Sequence, residues 1–151
     1  MNKNKQKEIL KDRFGRVVGM TTKALKNYLD KKLIANGYDI NFEEVIIIVN
    51  LWFENGLNQQ QITEIICRDK TSTTRFIDDL EARNLVKRIN DVNDRRQNIV
   101  KLTKKGEKKC AALIRFMEDL QEEILKGIDP DHIEICKDVL KQVQRNLSEG
   151  F

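Results

Sequence analysis

Proline and histidine each occur once in this 151-residue chain, aromatic residues make up 6%, and no unbroken apolar run is longer than five residues, as in Val45–Val49. Scarce proline and scarce aromatics favour long helices over a many-stranded fold. Five apolar residues fall far short of the ~18 needed to cross a bilayer as a helix, so no membrane partner is expected. Met1-Asn2-Lys3-Asn4-Lys5 is not followed by an apolar stretch with a cleavage site. No secretory signal is therefore expected, and the cytoplasm is the expected compartment. His132 is the only histidine and no metal-ligand cluster accompanies it, which argues against zinc sensing; no cofactor is implied. G-x-x-x-x-G-K, H-E-x-x-H and G-x-S-x-G are all missing, so the sequence gives no basis for an enzyme. Cys67, Cys110 and Cys136 are odd in number, far apart and without a C-x-x-C. They read as reduced thiols filling core or interface space.

What is present is charge and helical periodicity. The chain is 40% hydrophobic, enough for a core, and 34% charged, above the usual share. Residues 68–109 hold thirteen Lys/Arg against seven Asp/Glu, whereas the rest of the chain holds fifteen against seventeen. A basic block in an otherwise near-neutral chain suggests an anionic partner for that block.

Residues 5–36 read as a long helix, with Leu10, Phe14, Val17, Val18, Leu25, Tyr28 and Leu29 at three- and four-residue steps and Gly37 as its stop. Asn41 with Glu44 has the pattern of a capping box before an apolar helix that closes near Asn55-Gly56. Asn58 can cap a short helix to about Arg68, with Ile62, Ile65 and Ile66 inward, and Asp69 can cap another to about Arg83. Asn84, which tolerates the left-handed conformation, stands where the chain turns away. Two strand-like segments, 86–90 and 98–102, flank a polar seven-residue loop. Thr103 can cap a helix to about Lys126, and Asp129-Pro130 starts a last one to about Leu147. Cys110, Leu113, Met117, Leu120 and Ile124 step by three and four, as do Ile133, Cys136, Leu140, Val143 and Leu147. Such stripes need a helical partner, and pairing across a two-fold axis in a homodimer would cover them.

The helix beginning at Lys70 divides its faces. Thr73, Phe76, Ile77 and Leu80 form an inward side; Thr71, Ser72, Thr74 and Arg75 lie outward. Short hydroxyls near a helix N-terminus can meet base edges or phosphates, and arginine can hold guanine or a phosphate. Four hydroxyl residues in a row are poor helix formers, which an ordinary surface helix has no reason to carry. In the loop, Arg95 and Arg96 can enter a narrow minor groove, and Asp94 can orient Arg96 by a charge-assisted bond.

These residues form an ordered series: Asp69-Lys70-Thr71, Thr74-Arg75, Leu80-Glu81, Leu85-Val86-x-Arg88, Asp94-Arg95-Arg96 and Leu102-Thr103-x-x-Gly106. The series resembles the winged helix-turn-helix of the multiple antibiotic resistance regulator (MarR) family. The resemblance implies a mainly α fold with a small β-hairpin wing. Residues 39–106 would be the winged helix-turn-helix DNA-binding domain, and 1–38 with 107–151 the flanking helical dimerisation region. It further implies a dimeric transcriptional repressor on a double-stranded, pseudo-palindromic operator. Lys70, Thr71, Ser72, Thr74, Arg75, Asp94, Arg95 and Arg96 would be its DNA-contacting set. Two departures stand out: Thr73 replaces a usual apolar residue, which predicts looser packing, and Asp78 and Asp79 add negative charge near the DNA-facing helix. Many members of the family bind a small aromatic or anionic effector, for which Phe14, Val18, Tyr38, Trp52 and Phe116 are the candidate lining. Two alternatives within the same fold are a redox-responsive regulator using Cys67 and a protein–protein adaptor.

Overall fold

The computed structural model describes residues 13–54, 56–90 and 98–148. Two compact units divide the chain, one reaching to Arg115 and one starting at Phe116. The first described helix of the first unit is α1 (Phe14–Ala35), and residues 5–12 of the expected helix lie outside the described residues. This helix ends as expected at Gly37, whose φ of 76° lets Tyr38 N–H donate to the Leu33 carbonyl at 2.9 Å. Leu29 and Leu33, in its second half, are buried, whereas Phe14, Val17 and Met20 are exposed by half or more.

α2 (Phe42–Phe53) opens on the full capping box: Asn41 accepts from Glu44 N–H and the Glu44 carboxylate accepts from Asn41 N–H, both at 3.0 Å. Its apolar sequence suits its place at the centre, with Val45, Ile47, Ile48 and Leu51 buried. Next comes β1 (Leu57–Asn58), too short to leave a period in the sequence. α3 (Gln59–Ile66) has a second capping box, Asn58 with Gln61. It stops two residues short of the expected Arg68. Cys67 there adopts the left-handed conformation at φ 49°, and its N–H and that of Arg68 satisfy the carbonyls of Glu64 and Thr63. No glycine or asparagine announces this turn.

α4 (Lys70–Ala82) closes through Asn84, φ 56°, as its residue type suggested. Strands β2 (Val86–Asn90) and β3 (Asn98–Leu102) pair antiparallel from Val86↔Leu102 to Asn90↔Asn98. β1 adds to the other edge of β3, giving the sheet order β1-β3-β2. Thr103 then caps α5 (Lys104–Leu125), accepting from Gly106 N–H at 3.1 Å. A Cβ on Gly106 would run into the Leu85 carbonyl, so this helix can sit against the α4–β2 turn only because the residue is glycine. Cys110, buried beneath α2, has its thiol pushed up to about 11 by burial and serves as core. The compact unit is wider than residues 39–106, since Leu29, Leu33, Cys110 and Leu113 are all part of its buried set.

The second unit holds the end of α5 and α6 (Pro130–Ser148). Asp129 accepts from Asp131 N–H at 2.9 Å and Pro130 takes the first helical position, the start read from the sequence. No residue of α6 is buried. No described helix is long and apolar enough to cross a membrane.

Candidate nucleic-acid interface

α3, the Cys67 turn and α4 form a helix-turn-helix, and the β2–β3 hairpin stands beside it. Asp69 caps α4, accepting from Ser72 N–H at 2.8 Å and from Ser72 Oγ at 2.7 Å. These two bonds hold the Asp69 carboxyl below its usual range. Thr73, Phe76, Ile77 and Leu80 are the buried face, as expected. Thr73 packs without an orphaned hydroxyl. It donates to the Asp69 carbonyl at 2.9 Å, and its oxygen lies 3.1 Å from Thr63 Oγ1 of α3, whose own proton has the Gln59 carbonyl at 2.8 Å as its nearer acceptor; the polar residue is thus accommodated against α3 within the buried face.

On the other side, Lys70, Thr71 and Arg75 are exposed and Ser72 and Thr74 half-buried. Arg75 lies 5.6 Å from the Phe76 ring centroid and, among the described residues, is in no ion pair; the same is true of Lys70. Two cations near a helix N-terminus, unneutralised by the protein, are what a phosphate backbone requires. Asp94, Arg95 and Arg96 lie outside the described residues.

Three sets of ion pairs hold α4 in place. Near its start, buried Glu43 of α2 reaches Lys26 of α1 at 3.1 Å and Arg68 of the turn at 2.5 Å. Burial raises the Glu43 carboxyl, but the bonds from Arg68 and Lys26 outweigh it and the net shift is downward. At its end, Arg83 pairs with buried Glu44 and donates to the Asp39 carbonyl, while Lys105 donates to the Arg83 carbonyl at 2.9 Å. Burial is the largest influence on Glu44 and leaves its carboxyl raised. Along the middle, Arg88 of β2 pairs with Asp78 at 2.5 Å and with Glu81, whose carboxylate also accepts Arg88 N–H at 3.0 Å. Arg88 therefore sets the hairpin against α4 and neutralises Asp78, so this carboxylate is an internal partner and not a bare repulsive charge.

Three residues gain roles that sequence reading did not assign: Arg88 as the strut between hairpin and helix, Arg68 as the partner of Glu43, and Gln59. Gln59 opens α3 and donates from Nε2 to Thr74 Oγ1 at 2.5 Å. Gln59 carried no signal of its own, since its partner is fifteen residues away.

Of the five effector candidates, Phe14, Val18, Tyr38, Trp52 and Phe116, the four in the first unit do not share one cavity. Phe14 and Tyr38 stand at opposite ends of the 22-residue α1, about 33 Å of helix, so one cavity of a protomer cannot hold both. Trp52 is 44% exposed and Val18 is half-buried. Tyr38 does line a cavity of about 640 Å³, together with Asp30, Ile34, Glu44, Asp79 and Arg83. Cys67 is exposed on the helix-turn-helix turn, and all three cysteines are free thiols. No group of candidate metal ligands occurs among the described residues.

Residues 40–98 match the model of the MarR family. An HTH-type transcriptional regulator of Bacillus subtilis, YybA, is 24% identical over 136 residues, covering 90% of this chain and 89% of that protein. The fold is similar to that of a MarR family transcriptional regulator from Silicibacter pomeroyi, with TM-score 0.81, 22% identity and 93% of each chain covered. It is also similar to a Listeria monocytogenes MarR family regulator solved with a 26mer DNA, at TM-score 0.80, 23% identity and 91% of each chain. The S. aureus MepR–DNA complex matches at TM-score 0.77 and 22% identity, over 89% of this chain and 98% of that one.

Proposed function

We propose that this chain, a DNA-binding transcriptional regulator of the MarR family and not an enzyme, works as a homodimer that occupies a pseudo-palindromic operator and represses by steric exclusion. One observation carries the reading: the open side of α4 presents Lys70, Thr71, Thr74 and Arg75, while the opposite side is buried through Thr73, Phe76, Ile77 and Leu80 and the end of the helix is held through Arg83. A helix so fixed can be laid in a major groove without losing its own orientation. Half-sites then fall about one DNA turn, roughly 34 Å, apart. Arg95 and Arg96, with Asp94 orienting Arg96, reach the adjacent minor groove. Residues 1–38 and 107–151 supply the dimer contact, supported by the exposed Phe14, Val17 and Met20 of α1 and by α6, which buries no residue and leaves Ile135, Val139 and Leu147 exposed. A small aromatic or anionic effector releases DNA by changing the spacing of the two α4 helices. Such a repressor acts in the cytoplasm.

The test is selection of genomic fragments by the purified protein, followed by mobility-shift titration at rising salt. A palindromic site whose affinity falls steeply with salt is the expected result. Arg96→Ala should weaken operator binding about tenfold and leave thermal unfolding unchanged. A protein that prefers no duplex over heparin overturns the reading, and unchanged affinity in Arg96→Ala removes the hairpin loop from it.

A further inference from the structure

The hydroxyl row 71–74 suggested hydrogen-bond donors to bases, but the structure engages most of these protons internally. Ser72 Oγ donates to Asp69, Thr73 Oγ1 to the Asp69 carbonyl, and Thr74 Oγ1 to the Lys70 carbonyl at 2.8 Å. A hydroxyl has a single proton, so none of these three retains one for a base edge. Thr74 is engaged twice, because its oxygen also accepts from Gln59 Nε2 at 2.5 Å. With its oxygen held between the backbone of α4 and the side chain that opens α3, the group Thr74 can offer outward is its γ-methyl. In the major groove only thymine presents a methyl, at C5, and threonine methyl against thymine methyl is a sequence-reading contact.

We propose that Thr74 is a specificity-determining residue that reads a thymine in each half-site by its γ-methyl, with Gln59 as the positioning residue that turns its hydroxyl away. The inference rests on the DNA-binding reading above and deepens it. It reverses the expectation for two variants. A hydrogen-bonding Thr74 would tolerate Thr74→Ser and fail as Thr74→Val; a methyl-reading Thr74 does the opposite.

The experiment uses the full-length protein and its selected operator, resynthesised with uracil in place of each thymine in turn, which removes only the methyl. One symmetric position should weaken wild-type binding about fourfold in a single half-site and roughly fifteenfold in both, the worth of one buried methyl each. Thr74→Val should keep both the affinity and the uracil sensitivity at that position. Thr74→Ser should bind the thymine operator about as weakly as wild type binds the uracil one, with no further loss on uracil. Gln59→Ala should narrow the thymine-to-uracil ratio there, and an unchanged ratio would remove Gln59 from the mechanism. Absence of any uracil-sensitive position coupled to residue 74, or retention by Thr74→Ser with loss by Thr74→Val, overturns the inference while leaving operator binding intact. A wild-type protein that selects no duplex brings down the DNA-binding reading itself.

Discussion

The unit ending at Arg115 and the unit starting at Phe116 use similar apolar periodicity to different ends. In the first, Ile48, Ile62, Ile77, Leu80, Leu85 and Val100 are all at or below 1% exposure. In the second, α6 has nineteen residues and buries none, leaving Ile135, Val139 and Leu147 at 49 to 60% exposure. A helix gains little stability from its backbone alone in water and depends on packing one face. The first unit finds that packing within itself. In the second, Leu120 of α5 is buried, whereas the α6 stripe is at most half-covered, with Ile133, Leu140 and Val143 half-buried and Cys136 and Leu147 exposed; a second copy carrying the same stripe is the simplest further cover. One region is thus specified by its own sequence, and the other, on the proposed dimer reading, by its sequence taken twice.

The sharpest way to break the first region alone is at Gly106. Gly106→Ala puts a methyl into the Leu85 carbonyl, which must be relieved by shifting α5 or the α4–β2 turn. A loss of about 3 kcal/mol or more in unfolding free energy is expected, read by urea denaturation. A variant within about 0.5 kcal/mol of wild type would mean that the turn yields freely and that α5 is not locked to it.

Leu140→Asp attacks the second region. It places a carboxylate in the middle of the α6 stripe, and in a dimer two of them. Dimer dissociation should strengthen by about 100-fold, near 3 kcal/mol, measured by sedimentation against concentration. The helical signal of the first unit should persist. A variant that remains dimeric would show that α6 does not carry the contact, and one that unfolds together with the first unit would erase the contrast between the regions.

The legibility of the two regions differs for the same reason. Capping boxes at Asn41 and Asn58, the Asp69 cap, the Asn84 turn and the paired strands were readable because each is written within a few residues. β1 was not, because two residues carry no period, and neither was the early end of α3, because Cys67 is not a residue type that advertises positive φ. At the site, the outward set on α4 followed from helical spacing. Its fine chemistry did not, since Gln59–Thr74, Arg68–Glu43 and Arg83–Glu44 join residues fifteen to thirty-nine positions apart. Nothing in the local sequence told a hydroxyl free for a base from one already engaged.

The smallest effect lies in the ion pairs, and it also separates the regions. α6 has Lys137–Glu134 and Lys141–Asp138, with every partner about half exposed or more, and such pairs are worth little in water. Glu43 differs: its side chain is 8% exposed and two cations converge on it. Burial pushes its carboxyl up, the bonds from Arg68 and Lys26 pull it down, and the net shift lies below the ordinary 4.5. A carboxyl with a depressed folded-state value stabilises fully above its unfolded value and loses that contribution as pH falls through the lower, folded one. Glu44, shifted upward, works in the opposite sense, so wild-type stability mixes the two. Glu43→Gln isolates the first. It should cost about 1 kcal/mol at pH 7, because Lys26 and Arg68 keep partial access to water. Its unfolding free energy should then fall less steeply than that of wild type as pH drops below 4.5. Parallel acid limbs in urea denaturation would show that the three-residue tie joining α1, α2 and the helix-turn-helix turn adds nothing to the first region's stability.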